Sequence, residues 1–227
     1  MIDDISIAMK KRWEDLHSKE RFQPKYPTDH LVRFVFTHFP LDPKERSQLK
    51  ILDLGCGAGV GTVFLANEGF QTYATDISDN GLKVTEKRLK DNNLKAVLKN
   101  ASMETQPFEN DFFDGVIAFG VFSYNTMEGY QKAVDELYRV LKRRGRALVF
   151  NRTTDDYRFG KGKEMGKNTF ILNTEETNEA GIVQCFLDKQ DIRRIFNKFK
   201  EIIVEKTETT FSNQEKKNSD WIIKIEK

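Results

Sequence analysis

The sequence predicts an α/β fold of three layers, a mostly parallel sheet with helices on both faces, and three observations carry that prediction. From Lys50 to Arg152 short apolar runs alternate with amphipathic stretches, the rhythm of repeated strand–helix–strand units. The first apolar run passes through a glycine-punctuated loop, Gly55-Cys56-Gly57-Ala58-Gly59, into an amphipathic stretch. Gly69 and the run Arg143-Arg144-Gly145 then stand where two of the helices end and a left-handed C-cap is expected.

Taken in order, residues 2–16 place Ile2, Ile5, Met9, Trp13 and Leu16 three or four apart, with Asp3 and Asp4 early and Lys10, Lys11 and Arg12 later. This is an amphipathic helix whose charges suit its dipole; Trp13 reads as core packing and His17 as an ordinary helix residue. After Pro24 and Pro27 a second helix starts near Thr28, carries Leu31, Val32, Val35, Phe36 and Phe39, and ends at the Pro40 to Pro43 connection. The core follows as strand 50–54, helix 60–68, strand 71–76, helix 79–91, strands 95–99 and 114–119, helix 128–141 and strand 145–152. Residues 153–182 are polar and glycine-bearing, an insertion or hairpin outside the sheet. Helix returns at 188–198, followed by strand-like runs 201–207 and 220–226 joined by the polar stretch Ser212 to Ser219.

At 227 residues the chain suffices for one sizeable core and one domain. The net charge of +2 is too small to supply the basic face that a phosphate backbone requires, so nucleic acid is not an expected partner. Cys56 and Cys185 lie far apart without companions at metal-ligand spacing, which predicts two reduced thiols and no metal. The N-terminus lacks the basic start and apolar run of a secretory signal and no window reaches the length of a membrane span, so a cytoplasmic protein is expected.

The loop after the first strand carries the chemistry. Its glycines permit positive φ and let a ligand approach the backbone closely. A dinucleotide fingerprint G-x-G-x-x-G counted from Gly55 would need a third glycine where Val60 stands. What is present, Asp53 two residues before a G-x-G-x-G loop, resembles motif I of the class I methyltransferases that depend on S-adenosylmethionine (SAM). Asp76 closes the second strand about twenty residues after Gly55, where an acid can accept hydrogen bonds from ribose hydroxyls, a feature shared with dinucleotide enzymes. The run Asn100-Ala101-Ser102-Met103-Glu104 before Gln106-Pro107-Phe108 is similar to the family segment that reads adenine, with Ser102 where the family commonly has Asp. A hydroxyl makes that contact weaker than a carboxylate would. Phe113 to Gly120 resembles the fourth family strand, and Leu137 to Gly145 the helix and turn before the fifth.

The resemblance covers about residues 50–150 and implies a Rossmann-like methyltransferase fold: seven strands in the order 3-2-1-4-5-7-6, the seventh antiparallel, with N-terminal helices in front. It divides the single domain into an N-terminal helical lid (1–45), a cofactor core (50–150), a substrate-side insertion (151–187) and a C-terminal helix and strand pair (188–227). It implies SAM as cofactor and S-adenosylhomocysteine as product, with direct in-line displacement at the sulfonium methyl group. Cofactor contacts are expected from Asp53, Gly55, Cys56, Gly57, Asp76, Ile77, Ser102, Met103, Phe119 and Tyr26. Gly55 and Phe119 would offer carbonyls to the methionine ammonium; Tyr26, Phe119 and Tyr124 would face the sulfonium. Tyr124 is the candidate catalytic residue, and His30, Arg152, Tyr157 and Arg158 are the candidates for binding the substrate, because the stretch after strand five lies at the ligand-binding end of an open sheet. Its two arginines and two acids suit a small polar acceptor, anionic or hydroxylated. A looser resemblance to small-molecule enzymes of sugar or polysaccharide pathways points to a sugar or related metabolite. The alternatives are a protein or RNA methyltransferase and a non-catalytic SAM-binding module, and the chain is expected as a monomer or homodimer.

Overall fold

The computed structural model of the chain describes residues 2–20, 23–173 and 179–227, with backbone alone for residues 2–6. Helices α1 (Ile2–His17) and α2 (Asp29–His38) and the single turn α3 (Pro43–Arg46) precede the sheet. The core runs β1 (Lys50–Leu54), α4 (Val60–Asn67), β2 (Gln71–Asp76), α5 (Asp79–Asp91), β3 (Val97–Asn100), β4 (Phe113–Phe119), α6 (Met127–Val140) and β5 (Leu141–Arg152). It is followed by β6 (Gly162–Gly166), β7 (Thr169–Leu172), β8 (Val183–Cys185), α7 (Lys189–Ile195), β9 (Glu201–Phe211) and β10 (Lys216–Glu226).

Seven strands form one sheet in the order β3-β2-β1-β4-β5-β10-β9. The first five are parallel, and β10 runs antiparallel to both β5 and β9. With β9 and β10 as the sixth and seventh strands, this is the expected order and polarity. Side chains of adjacent strand residues face opposite layers. Leu52, Leu54, Val116 and Ala118 pack with Tyr130, Val134 and Leu137 of α6 and Ile192 and Ile195 of α7. Ile51, Ile117 and Leu148 pack on the other side with Leu31, Phe34 and Val35 of α2 and Leu65 of α4. Burial on both faces is why these strands read as nearly continuous apolar runs.

The helix starts are set by side-chain caps: Thr28, Ser78 and Thr126 each accept a backbone N–H of the first turn, and Asp188 and Asp191 form a reciprocal capping box. Gly69 (φ +88°) follows α4 as expected. At the end of α6 the expectation fails, because the cap residue Leu141 is extended and already belongs to β5. The left-handed residue there is Arg144 (φ +63°), whose N–H donates to the Lys227 carbonyl at 2.8 Å. The final hairpin is longer than its apolar pattern, since β9 and β10 pair from Glu201↔Glu226 to Phe211↔Lys216 and leave only residues 212–215 as the turn.

The described residues between β5 and α7 hold more regular structure than their composition suggested. β6, β7 and β8 form a separate antiparallel sheet. Met9 and Leu16 of α1 are buried against Ile182 and Val183 at its edge, with Trp13, Tyr124 and Ile171 alongside. At its other side α1 is tied to α5: the Glu14 carboxylate accepts the backbone N–H groups of Asp79 (2.5 Å) and Asn80 (2.9 Å) and the Ser78 hydroxyl (3.2 Å). An anion at the first turn of a helix complements its unpaired N–H groups. α1 thus bridges the small sheet and α5, across the carboxyl ends of the central strands. Among the described residues no helix is long and apolar enough to cross a membrane.

Candidate active site

The order of the sheet reverses at β1, which lies between β2 and β4, and ligands of open α/β sheets bind in the crevice at such a point. A cavity of about 520 Å³ occupies it. Its floor is the loop after β1. Gly55 (φ +72°) cannot carry a side chain, because a Cβ there would stand 2.5 Å from Val121 Cγ2. The N–H groups of Gly55 and Cys56 donate to the Thr75 carbonyl at 2.8 and 3.0 Å, which stitches the loop to the end of β2. Asp76 finishes the stitching by accepting the Gly57 N–H on Oδ2 (2.8 Å) and the Ser78 N–H on Oδ1 (2.8 Å). Burial raises the Asp76 carboxyl above its ordinary range, against the two N–H donors that favour its charge.

Eight of the residues singled out in the sequence line this cavity: Gly55, Gly57, Asp76, Ile77, Met103, Phe119, Tyr124 and Arg152. The others do not. Asp53, 4% exposed, lies beneath the loop and accepts the Thr62 hydroxyl at 2.7 Å; burial pushes its carboxyl up to about 6. Cys56 is buried beside Thr85, its thiol driven well up by burial. Ser102 points outward, with its hydroxyl accepting the Glu104 N–H, while its neighbours Ala101 and Met103 line the cavity. Tyr26 is 82% exposed, and Pro24 is the residue of that segment in the wall. His30 sits behind the wall, its ring 5.6 Å from that of Phe150. Tyr157 packs against Phe211 and Arg158, away from the cavity.

Arg158, 8% exposed, is a brace and not part of the lining. Its Nη1 donates to Asp156 Oδ1 (2.9 Å) and Asn218 Oδ1 (3.0 Å), and its Nε lies 2.7 Å from Glu179 Oε2. Arg152 is nearer the ligand space, with Nη1 3.3 Å from both Asp220 oxygens and 3.5 Å from Asp156 Oδ2. The Tyr124 hydroxyl donates to Glu179 Oε1 at 2.9 Å. Burial, and then the charge of Glu179, hold that phenol far above its ordinary range, so it stays protonated. Burial also raises the Asp220 carboxyl, with Arg152 opposing.

The lining also includes Trp13 and His17, read in the sequence as a core residue and an ordinary helix residue, together with Val121, Ser123, Phe150 and Asp220, to which sequence reasoning assigned no site role. Trp13 and His17 are four apart on α1, one helical face, and Trp13 meets the Tyr124 ring edge-on at 4.7 Å. That i,i+4 aromatic pair was a usable signal. Asp220 had no local signal, since it reaches the cavity only by lying opposite Arg152 in the β5–β10 register. Among the described residues no group of His, Cys, Asp and Glu could hold a metal ion.

Comparison with known proteins agrees with this geometry. Residues 51–145 match the family model described as a methyltransferase domain. A demethylmenaquinone methyltransferase of Clavibacter sepedonicus is 38% identical over 101 residues, covering 44% of this chain and 40% of that protein. A ubiquinone biosynthesis O-methyltransferase of Rickettsia typhi is 30% identical over 132 residues, 57% of this chain and 52% of that one. The chain therefore spans about half the length of these curated relatives. Among solved structures, a SAM-dependent methyltransferase from Methanosarcina mazei shares the fold with a TM-score of 0.70 at 18% identity, covering 85% of this chain and 96% of that chain. The matched segment holds the glycine loop, Asp76 and the lining residues from Ala101 to Val121, so over residues 51–145 the chain is similar to the methyltransferase domain family.

Proposed function

We propose that the protein transfers a methyl group from SAM to a small polar acceptor. The observation that carries this reading is the continuity of one cavity, from Gly57, Asp76 and Met103 at one end to Tyr124, Arg152 and Asp220 at the other. The first end fits the cofactor chemically. Ile77, Ala101 and Met103 offer an apolar slot for a purine. The Asp76 oxygens each take one backbone N–H and keep lone pairs for ribose hydroxyls. Gly55 and Gly57 expose backbone where side chains would obstruct. Asp53 and Cys56 act from below, by holding α4 and the loop.

When bound, SAM supplies a methyl group open to attack along the line opposite its sulfur. The chain's part is alignment and exclusion of water, which contributes up to roughly 7–11 kcal/mol in favourable intramolecular models. Trp13, Phe119, Tyr124 and Phe150 form aromatic walls, each able to stabilise a nearby cation by about 0.5–2 kcal/mol. Arg152 and Asp220 hold the acceptor: the guanidinium faces an acceptor oxygen, and the carboxylate takes the proton of an attacking hydroxyl. Tyr124, kept protonated, orients and does not deprotonate. Aromatic walls around one ion pair suit a hydroxylated ring, either a sugar or a ring like those named in the two quinone-pathway relatives.

Two measurements test the reading. Calorimetry should show binding of SAM and S-adenosylhomocysteine and none of NADH. Incubation with SAM and a panel of sugars and dihydroxy-aromatic compounds should release S-adenosylhomocysteine for at least one class. Binding of NADH in place of SAM would remove the proposal altogether.

A further inference from the structure

Resting on the SAM reading above, we propose that His17 is a cofactor-binding residue carried by α1, gripping the ribose hydroxyls together with Asp76 and making α1 the closing wall of the cofactor site. His17 is 7% exposed yet lines the cavity beside Gly57 and Asp76. The fold has made room for an imidazole at this point. A Cβ on Gly57 would stand 3.2 Å from His17 Nε2, and one on Gly81 would stand 2.8 Å from Nδ1. The ring thus occupies a slot between two glycines from distant parts of the chain, with Nε2 on the Gly57 side, which is the cavity side.

The slot is polar in an unfinished way. Nδ1 is buried without a hydrogen-bond partner among the described residues, whereas buried polar atoms are nearly always paired. Nδ1 lies on the Gly81 side, so the nitrogen turned to the cavity is Nε2. The backbone around it is fixed: the Gln23 side-chain amide donates to the His17 carbonyl at 2.9 Å, and Arg88 donates to the Gln23 and Pro24 carbonyls at 2.9 and 2.6 Å. One turn earlier, Glu14 clamps α1 to α5. The imidazole is therefore held next to Asp76 from a separate element. A ribose hydroxyl that donates to Asp76 keeps lone pairs to accept an N–H from His17. The position selects the ribose over the amino-acid end of the cofactor, because His17 abuts Gly57, whose N–H bonds Asp76, while Val121 stands against Gly55.

The test is calorimetry with S-adenosylhomocysteine and with adenosine, which keeps the ribose and lacks the amino-acid end. His17→Ala and His17→Phe should each weaken both ligands about tenfold, the worth of one well-placed hydrogen bond, and His17→Gln, which retains an N–H donor, should recover part of that loss. In the wild type, addition of adenosine should shift the imidazole resonances of His17 and leave those of His30 and His38, a readout that stands if a variant fails to fold. Wild-type affinity in His17→Phe would overturn the proposal, since the ring would then only fill space. So would a loss confined to S-adenosylhomocysteine. Failure of the wild type to bind S-adenosylhomocysteine would instead overturn the functional reading itself.

Discussion

At the cofactor end of the cavity, Gly55 and Gly57 come from one loop and Asp76 and Ile77 from the end of the adjacent strand; at the acceptor end, Trp13, Tyr124, Arg152 and Asp220 come from α1, the loop after β4, β5 and β10. The two ends are also held differently. Backbone donors dominate the first, where Gly55, Cys56, Gly57 and Ser78 all give N–H bonds to Thr75 or Asp76. Side-chain charges dominate the second, where Arg152 and Arg158 sit among Asp156, Glu179 and Asp220. Substitutions should therefore register chiefly as lost affinity at the cofactor end and as lost stability at the acceptor end.

The largest expected effect belongs to Arg158. Its removal takes the cation from Glu179 and leaves Asp156 with only the longer contact to Arg152, and breaking a buried pair from one side costs about 3–5 kcal/mol. Arg158→Ala should lower the melting temperature by on the order of 10 °C while leaving affinity for S-adenosylhomocysteine within about twofold. Thermal melts beside calorimetry would check this. Weakened binding with an unchanged melt would move Arg158 into the cofactor site and blur the contrast.

Asp53 tests whether the loop's foundation is strained by its own charge. Burial raises the carboxyl from 3.8 to about 6 in the folded state, so the folded protein holds that proton more tightly than the unfolded chain does. The stability this confers is complete below about pH 4 and is lost as pH rises through about 6. Asp53→Asn escapes the loss and keeps an oxygen for the Thr62 hydroxyl. Measured by urea unfolding without cofactor, it should exceed the wild type by about 3 kcal/mol at pH 7.5 and match it near pH 4. An advantage that does not change with pH would contradict the assignment.

Asp76→Ala should cost less energy and more function. It deletes the acceptor for Gly57 and Ser78 along with the ribose contact, and hydrogen bonds to a charged group are worth about 1.5–3 kcal/mol. Affinity for S-adenosylhomocysteine should fall about thirtyfold by calorimetry, with Asp76→Asn intermediate. Unchanged binding would detach the end of β2 from the cofactor.

The same contrast explains what was legible in the sequence. The fold and the floor of the site are written locally: a buried strand, glycines at fixed spacing and an acid at the next strand end lie within thirty residues of one another. Where local spacing failed, the cause was direction. Ser102 stands where the resemblance implies the adenine contact, but its side chain is exposed while its neighbours Ala101 and Met103 line the cavity. Tyr26 was placed by proximity to the site, yet between Pro24 and Pro27 it turns to solvent. The acceptor end depends on strand register and on ion pairs between segments far apart, such as Asp220 with Arg152, and no periodicity encodes a partner in another strand. His17 read as an ordinary helix residue because its slot is made by Gly57 and Gly81, glycines far from it in the sequence.

Tyr124 marks the boundary between the two ends and should show the smallest effect. Its hydroxyl donates to Glu179, which is also paired with Arg158, so removing the hydroxyl leaves the carboxylate with its stronger partner. Tyr124→Phe should therefore cost about 1 kcal/mol, as one neutral-donor hydrogen bond does, and leave S-adenosylhomocysteine binding unchanged. Because burial and Glu179 keep the phenol protonated, the variant should also retain the shape of the pH–rate profile, with turnover reduced less than about tenfold. A hundredfold loss together with disappearance of the alkaline limb would make Tyr124 a base. In that case the proton of the acceptor would pass to the loop after β4, and Asp220 would be left to position the acceptor alone.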